Sequence, residues 1–107
     1  MNVIVYKSKS GDSPFEYWLT SLQDKSLVGR IWRRIIRIQE GNLGNLGDHK
    51  YISSGVWELR VSFGGGIRIY YGIHQNKIVL LLSGGNKGSQ QRDILKAVKI
   101  WQMFLEE

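Results

Sequence analysis

The sequence predicts an α+β domain: a mostly antiparallel, twisted sheet with two helices before it and one after it, in the order β-α-α-β-β-β-β-α. Three observations predict it. Residues 57–63 and 67–73 alternate apolar and polar with period two on either side of Gly64-Gly65-Gly66. Residues 78–82 form a continuous apolar run, as in a strand covered on both faces. Residues 24–40 and 89–105 carry apolar side chains at helical spacing. At 107 residues the chain is read as one domain, residues 1–107, with a modest core.

Residues 1–6 read as the first strand. Ser13-Pro14-Phe15-Glu16 then signals a helix start: serine caps, proline suits the first helical position, and glutamate reaches back to the cap. That helix should run to about Leu22. A second starts near Asp24 and runs to Glu40, with Gly41 as its stop. On its wheel Leu27, Val28, Ile31, Trp32, Ile35 and Ile38 occupy one half, while Arg30, Arg33, Arg34 and Arg37 share a separate arc of about 100°. One side packs, and the other shows an arginine stripe. A solvated helix face is the plainer account of such a stripe, and anion binding the sharper one.

Residues 41–48 are a loop, 50–53 a short strand, and Ser54-Gly55 a turn. In the next strand Trp57, Leu59, Val61 and Phe63 point to the core, and Glu58, Arg60 and Ser62 point away from it. The glycines 64–66 turn the chain, since tight hairpins need positive φ. In the return strand Ile67, Ile69, Tyr71 and Ile73 face the core, with Arg68, Tyr70, Gly72 and His74 opposite. Gln75-Asn76 turns again, residues 77–83 form an interior strand, and a glycine-rich loop follows. Ser89 caps the last helix, with Ile94, Ala97, Val98, Trp101, Phe104 and Leu105 as its apolar face.

Composition narrows the function. There is no cysteine, so disulfides and thiolate metal sites are excluded and a reducing compartment is expected. The apolar start meets Lys7 too early for an export signal, and the 78–82 run is too short for a bilayer. The expected location is the cytoplasm. A net charge of +6 and a pI of about 9.8 favour an anionic partner: nucleic acid, a ribosome or an acidic protein.

The candidate chemistry gathers on the hairpin. Alternation puts Arg60 and Arg68 on one face, and strands about 4.8 Å apart let the two guanidiniums converge on one anion. Arginine's rigid donor fork fits phosphate. Like charges on neighbouring strands repel, so their placement makes sense with an anion, or Glu58, between them. Pairing with Glu58 in an otherwise solvated surface is the alternative. Lys87 lies in a glycine-rich stretch before a helix, where backbone N–H groups and the positive helix end favour anions. It precedes Gly88, so this is not a Walker A loop. Tyr70, His49 and His74 are the proton-transfer candidates. Histidine titrates near neutrality, and the arginines beside Tyr70 should favour its anion. His74 flanks a turn and is expected to be merely exposed. No paired carboxylates and no His/Glu cluster occur, so neither a metal nor another cofactor is expected.

The segments Leu46-Gly47-Asp48-His49-Lys50, Glu58-Leu59-Arg60, Gly66-Ile67-Arg68-Ile69-Tyr70-Tyr71, and Leu81-Leu82-Ser83-Gly84-Gly85-Asn86-Lys87-Gly88-Ser89-Gln90 with Asp93-Ile94 resemble the phage-derived, HigB-like killer proteins of the RelE/ParE toxin superfamily. The resemblance covers nearly the whole chain. It implies a RelE-like fold and the toxin of a type II toxin–antitoxin pair. Such toxins enter the ribosomal A site and cut mRNA without metal, by attack of the ribose 2′-OH on the adjacent phosphate. They are held off by an antitoxin, in HigB-like systems a HigA-like helix-turn-helix protein. On this resemblance Arg60 and Arg68 stabilise charge, Lys87 matches the lysine after the central strand, and Lys50 contacts the backbone or helps proton transfer. Tyr70 orients the base or moves a proton, and His49 is a further candidate base. The arginine stripe would hold ribosomal RNA. Two other functions remain open at this level: ParE-like inhibition of DNA gyrase, and non-enzymatic nucleic-acid binding.

Overall fold

The computed structural model describes residues 2–41, 48–62, 66–75 and 78–107. The expected 41–48 loop beyond Gly41 and before Asp48, the position of Phe63, most of the triple-glycine turn, and Asn76 lie outside the described residues. The element order is β1 (Asn2–Val5), α1 (Pro14–Ser21), α2 (Lys25–Gln39), β2 (His49–Ser53), β3 (Val56–Val61), β4 (Ile67–His74), β5 (Ile78–Gly85) and α3 (Gln90–Glu106), with a 3-10 turn at Lys87–Ser89. This is the α+β layout expected from the sequence.

Local chemistry sets the helix ends. Ser13 Oγ accepts the N–H of Glu16, and Pro14 opens α1. Asp24 Oδ1 accepts the N–H groups of Ser26 and Leu27 at the head of α2, and Gly41, with φ +88°, follows its end. The β2–β3 turn has positive φ at both Ser54 and Gly55, the primed geometry that matches strand twist.

The five strands lie in the order β1-β5-β4-β3-β2, with β1 parallel to β5 and every other pair antiparallel. One face carries Leu59, Val61, Ile67, Ile69, Tyr71 and Leu81 against Phe15 and Leu19 of α1 and Ile31, Ile35 and Ile38 of α2. The alternation predicted this core.

The other face is covered as well. Val56, Tyr70, Leu80 and Leu82 pack with Tyr6 against Ala97, Ile100 and Trp101 of α3. The hairpin's polar face is therefore a second core along much of its length. Ile100 belongs to that core, whereas Leu105, expected in the apolar face of α3, is exposed. His74 is half-buried, its ring edge-on to Phe104 at 5.3 Å, where simple exposure was expected.

The 84–85 glycines correct a second expectation. They are not loop but the last pairs of β5, opposite Ile69 and Arg68. Each is glycine because something sits where a Cβ would be: Trp18 over Gly84, and Asp93 with Ser89 over Gly85. Gly84→Ala should therefore destabilise the protein by about 1–3 kcal/mol through overpacking, read as a lower urea midpoint. Among the described residues no helix is long and apolar enough to cross a membrane.

Candidate active site

Strand register builds the site, because directly opposed residues share a face. Lys50, Glu58, Tyr70 and Ser83 form one row across β2, β3, β4 and β5. Arg60, Arg68 and Gly85 form the next. Both rows lie on the α3 face. Gly85 ends β5, so the 3-10 turn and the start of α3 rise from the same end of the sheet as the two arginines.

The two guanidiniums converge on one carboxylate oxygen. Glu58 Oε1 lies 3.8 Å from Arg60 Nη2 and 3.8 Å from Arg68 Nε. Glu58 Oε2 accepts a hydrogen bond from Gln90 Nε2 of α3 at 2.9 Å. Glu58 is 1% exposed and Arg68 6%, whereas the Arg60 side chain is 51% exposed. Arg68 also donates from Nη1 to the Gly66 carbonyl at 3.0 Å, which fixes its fork. The result is one anchored guanidinium, one open guanidinium and a buried carboxylate oxygen between them that pairs with each by charge, with no hydrogen bond to either. An open guanidinium on a fixed base is suited to a phosphoryl oxygen.

Tyr70, in the first of these rows, is fully buried beneath α3. Its hydroxyl approaches Glu58 without reaching hydrogen-bond geometry. The expectation that nearby arginines favour the Tyr70 anion is reversed. Burial raises the phenol pKa, the Glu58 charge and then Asp93 raise it further, and Arg68 does not offset them. Tyr70 is a phenol that keeps its proton.

The remaining candidates are dispersed. Lys50 is on the same face, opposite Glu58 in register, and exposed on edge strand β2. Lys87 is exposed at the start of the 3-10 turn. With Gly88, Gln90, Gln91, Arg92 and Leu95 it lines a cleft of about 590 Å³ that adjoins the site through Gln90. The cap on this turn is Asn86, whose side chain accepts the Ser89 N–H. Ser89 turns its hydroxyl to Asn86 and Asp93 and does not cap α3 as expected.

His49 lies on the opposite side of the sheet. Its Nδ1 is 2.7 Å from the Tyr71 hydroxyl, on the α1/α2 face. The structure does not bring it to Arg60 and Arg68. Arg34 acts electrostatically on Tyr71 from α2. Burial pulls the Arg34 pKa below the usual arginine range, against the opposing pull of Asp48. Arg30, Arg33, Arg34 and Arg37 together line a cleft of about 240 Å³. The stripe expected from the helical wheel is thus real, half-buried at Arg34 and exposed at the other three, and it stands across the sheet from the paired arginines.

Burial also pushes Tyr71 up to about 12 from an ordinary 10.0. The unfolded chain loses these phenolic protons first. Tyr70 and Tyr71 therefore contribute stability that is intact below about pH 10 and is lost as the pH climbs toward 12. Urea midpoints should fall across that window, and the phenolate absorbance of Tyr70 and Tyr71, read in a variant with the exposed Tyr17 and Tyr51 replaced by Phe, should appear together with unfolding. A midpoint flat across the window contradicts this.

Sequence reasoning passed over Gln90 and treated Glu58 only as a charge partner. The register could have flagged both. A glutamate in the middle of a strand, opposite a tyrosine and flanked by arginines, is poorly placed unless something covers it.

Two comparisons bear on this geometry. Residues 17–101 match the family model described as phage derived protein Gp49-like (DUF891), a span that takes in the hairpin, the paired arginines and most of α3. The chain is also 39% identical over 83 residues to an uncharacterized protein of Haemophilus influenzae, covering 78% of this chain and 81% of that one.

Proposed function

Because the chain belongs to the phage-derived Gp49-like family, a family of RelE/HigB-type toxins, we propose that it is a type II toxin that cuts mRNA on the ribosome. The observation that carries this reading is the shared carboxylate. Arg60 and Arg68 meet on Glu58 Oε1, one guanidinium fixed and one open to a ligand. In the reaction the ribose 2′-OH attacks the adjacent phosphorus and the bond to the 5′ oxygen breaks. The products are a 2′,3′-cyclic phosphate and a 5′-OH end. Extra negative charge grows on the phosphoryl oxygens in the transition state, where preorganised cations act most strongly. The 2′-OH also confines the cut to RNA.

Arg60 takes the phosphoryl oxygens directly. Arg68 holds the field behind it. Lys87, exposed beside the same end of the sheet, holds the neighbouring backbone. Lys50 is the proton-transfer candidate that shares the site's face and is open to substrate. Tyr70, sealed and protonated, serves from within the fold, and His49 is left to the opposite face. The stripe Arg30/Arg33/Arg34/Arg37 is a separate contact for ribosomal RNA. Neutralising it should weaken ribosome binding and leave the chemistry intact.

The partner that restrains such a toxin is an antitoxin, here expected to be a helix-turn-helix protein. Brief induction followed by mapping of message 5′ ends tests the reading. New 5′-OH ends inside translated messages are expected. Intact messages with loss of gyrase supercoiling would instead make the protein a gyrase poison, and intact messages with salt-sensitive RNA binding and no growth arrest would make it a binding module.

A further inference from the structure

Glu58 is spent in an unusual way. A buried carboxylate needs compensation, and one well-placed arginine supplies it. Arg68, itself buried, is the nearest charge partner, 3.8 Å from Oε1 and not hydrogen-bonded to it. Arg60 is half in water at the same 3.8 Å, a setting in which an ion pair adds little to stability. Its contact with Glu58 is therefore not what holds the fold together, and it leaves the Arg60 guanidinium beside a fixed negative charge at the open edge of the site.

The second oxygen completes the picture. Gln90 donates to Glu58 Oε2 from the first turn of α3, which fixes the plane of the carboxylate and leaves Oε1 alone for both guanidiniums. Gln90 carries no charge, so it orients Glu58 without competing with either arginine. Lys50 and Tyr70 flank Glu58 in register, which restricts it from both neighbouring strands.

We infer that Glu58 is the positioning residue of the site, aiming the Arg60 guanidinium at the phosphate, and that Gln90 acts through it to tie α3 to catalysis. The inference rests on the endoribonuclease reading for its kinetic consequence and on geometry alone for its structural one. An arginine has a long flexible stem, and a misplacement of about 1 Å in a catalytic group costs on the order of 100-fold in rate. Glu58→Gln keeps the shape and can still meet Gln90, but its amide cannot hold two guanidiniums. Gln90→Met frees the carboxylate and leaves every charge in place.

The test uses the purified full chain in two arms. Single-turnover cleavage on programmed ribosomes should show Glu58→Gln with kcat down roughly 10- to 100-fold and KM near the wild-type value. Gln90→Met should show a smaller drop, and the double variant should be no worse than Glu58→Gln alone. In the free protein, NMR of the arginine Nε–H groups should show hindered guanidinium rotation for both Arg60 and Arg68, with the hindrance at Arg60 lost in Glu58→Gln and reduced in Gln90→Met. Wild-type kcat in both variants overturns the inference, as does free rotation of Arg60 in the wild type. If the wild type cuts no message, the endoribonuclease reading falls, and the NMR arm still decides the positioning. If Glu58→Gln fails to fold, Gln90→Met decides both arms, because its side chain is only partly buried and uncharged.

Discussion

Arg68→Ala will lose about 3 kcal/mol of stability or more, and with it any measurable activity. The arginine is 6% exposed, and it is the buried partner of a carboxylate that is 1% exposed. Removing it leaves Glu58 out of water beside a half-solvated Arg60 and the neutral amide of Gln90. Breaking a buried pair from one side costs about 3–5 kcal/mol, and a domain of this size has little more than that to lose. Read from the alternating pattern alone, Arg68 belongs to an open face, and its loss should spare the fold. The packing of α3 reverses that expectation. The check is a urea titration of Arg68→Ala beside Arg68→Ala/Glu58→Leu, in which the apolar replacement removes the stranded charge. Recovery of most of the midpoint in the double variant is the expected result. A single variant as stable as the wild type would mean that the pair contributes nothing.

Arg60→Ala behaves in the opposite way. Its side chain is 51% exposed and makes a 3.8 Å contact with Glu58. Its removal should change stability by no more than about 0.5 kcal/mol, as for other surface positions. The rate is another matter. Loss of one preorganised charge-stabilising donor costs on the order of 10²–10³-fold in kcat. Arg60→Lys keeps the charge and loses the fork, so it should fall between the two. The pair Arg60 and Arg68 thus separates chemistry from stability. One variant should fold and not cut, and the other should fail to fold first. Growth arrest on induction, with circular dichroism melts of the same proteins, reads both.

Much of the fold was legible in the chain because each element carries its own physical signature. Leu59 and Ile69 alternate with Glu58, Arg60, Arg68 and Tyr70, and period two places them on opposite faces whatever surrounds the sheet. Ser13, Asp24 and Gly41 mark helix ends through local hydrogen bonding and φ, which need no tertiary context. What alternation cannot report is what covers each face. Glu58 and Tyr70 read as a polar surface until Trp101 and Ile100 close over part of it.

Two signals pointed that way. The interior strand β5 is apolar at Leu80, Leu81 and Leu82 in succession, which requires cover on both sides. Gly72 interrupts the polar face of β4, where Trp101 occupies the place of a Cβ. Gly84 and Gly85 were harder, because glycine signals a loop and a close approach equally well. Only the positions of Trp18 and Asp93 distinguish the two. The site was legible in kind, as two arginines on one face, and not in construction. The carboxylate between them, the amide that holds it and the separation of His49 from both are products of long-range packing.

In the proposed function the Arg60–Glu58–Arg68 arrangement cuts RNA on the ribosome. The most direct measurement is cleavage of a defined message by the purified protein on programmed ribosomes, wild type against Arg60→Ala, with the ends characterised chemically. The wild type should leave a 5′-OH and a 2′,3′-cyclic phosphate within the translated frame, and a folded Arg60→Ala protein should still bind the ribosome and leave the message whole. A folded Arg60→Ala protein that cuts at the wild-type rate would contradict the proposed role of these residues.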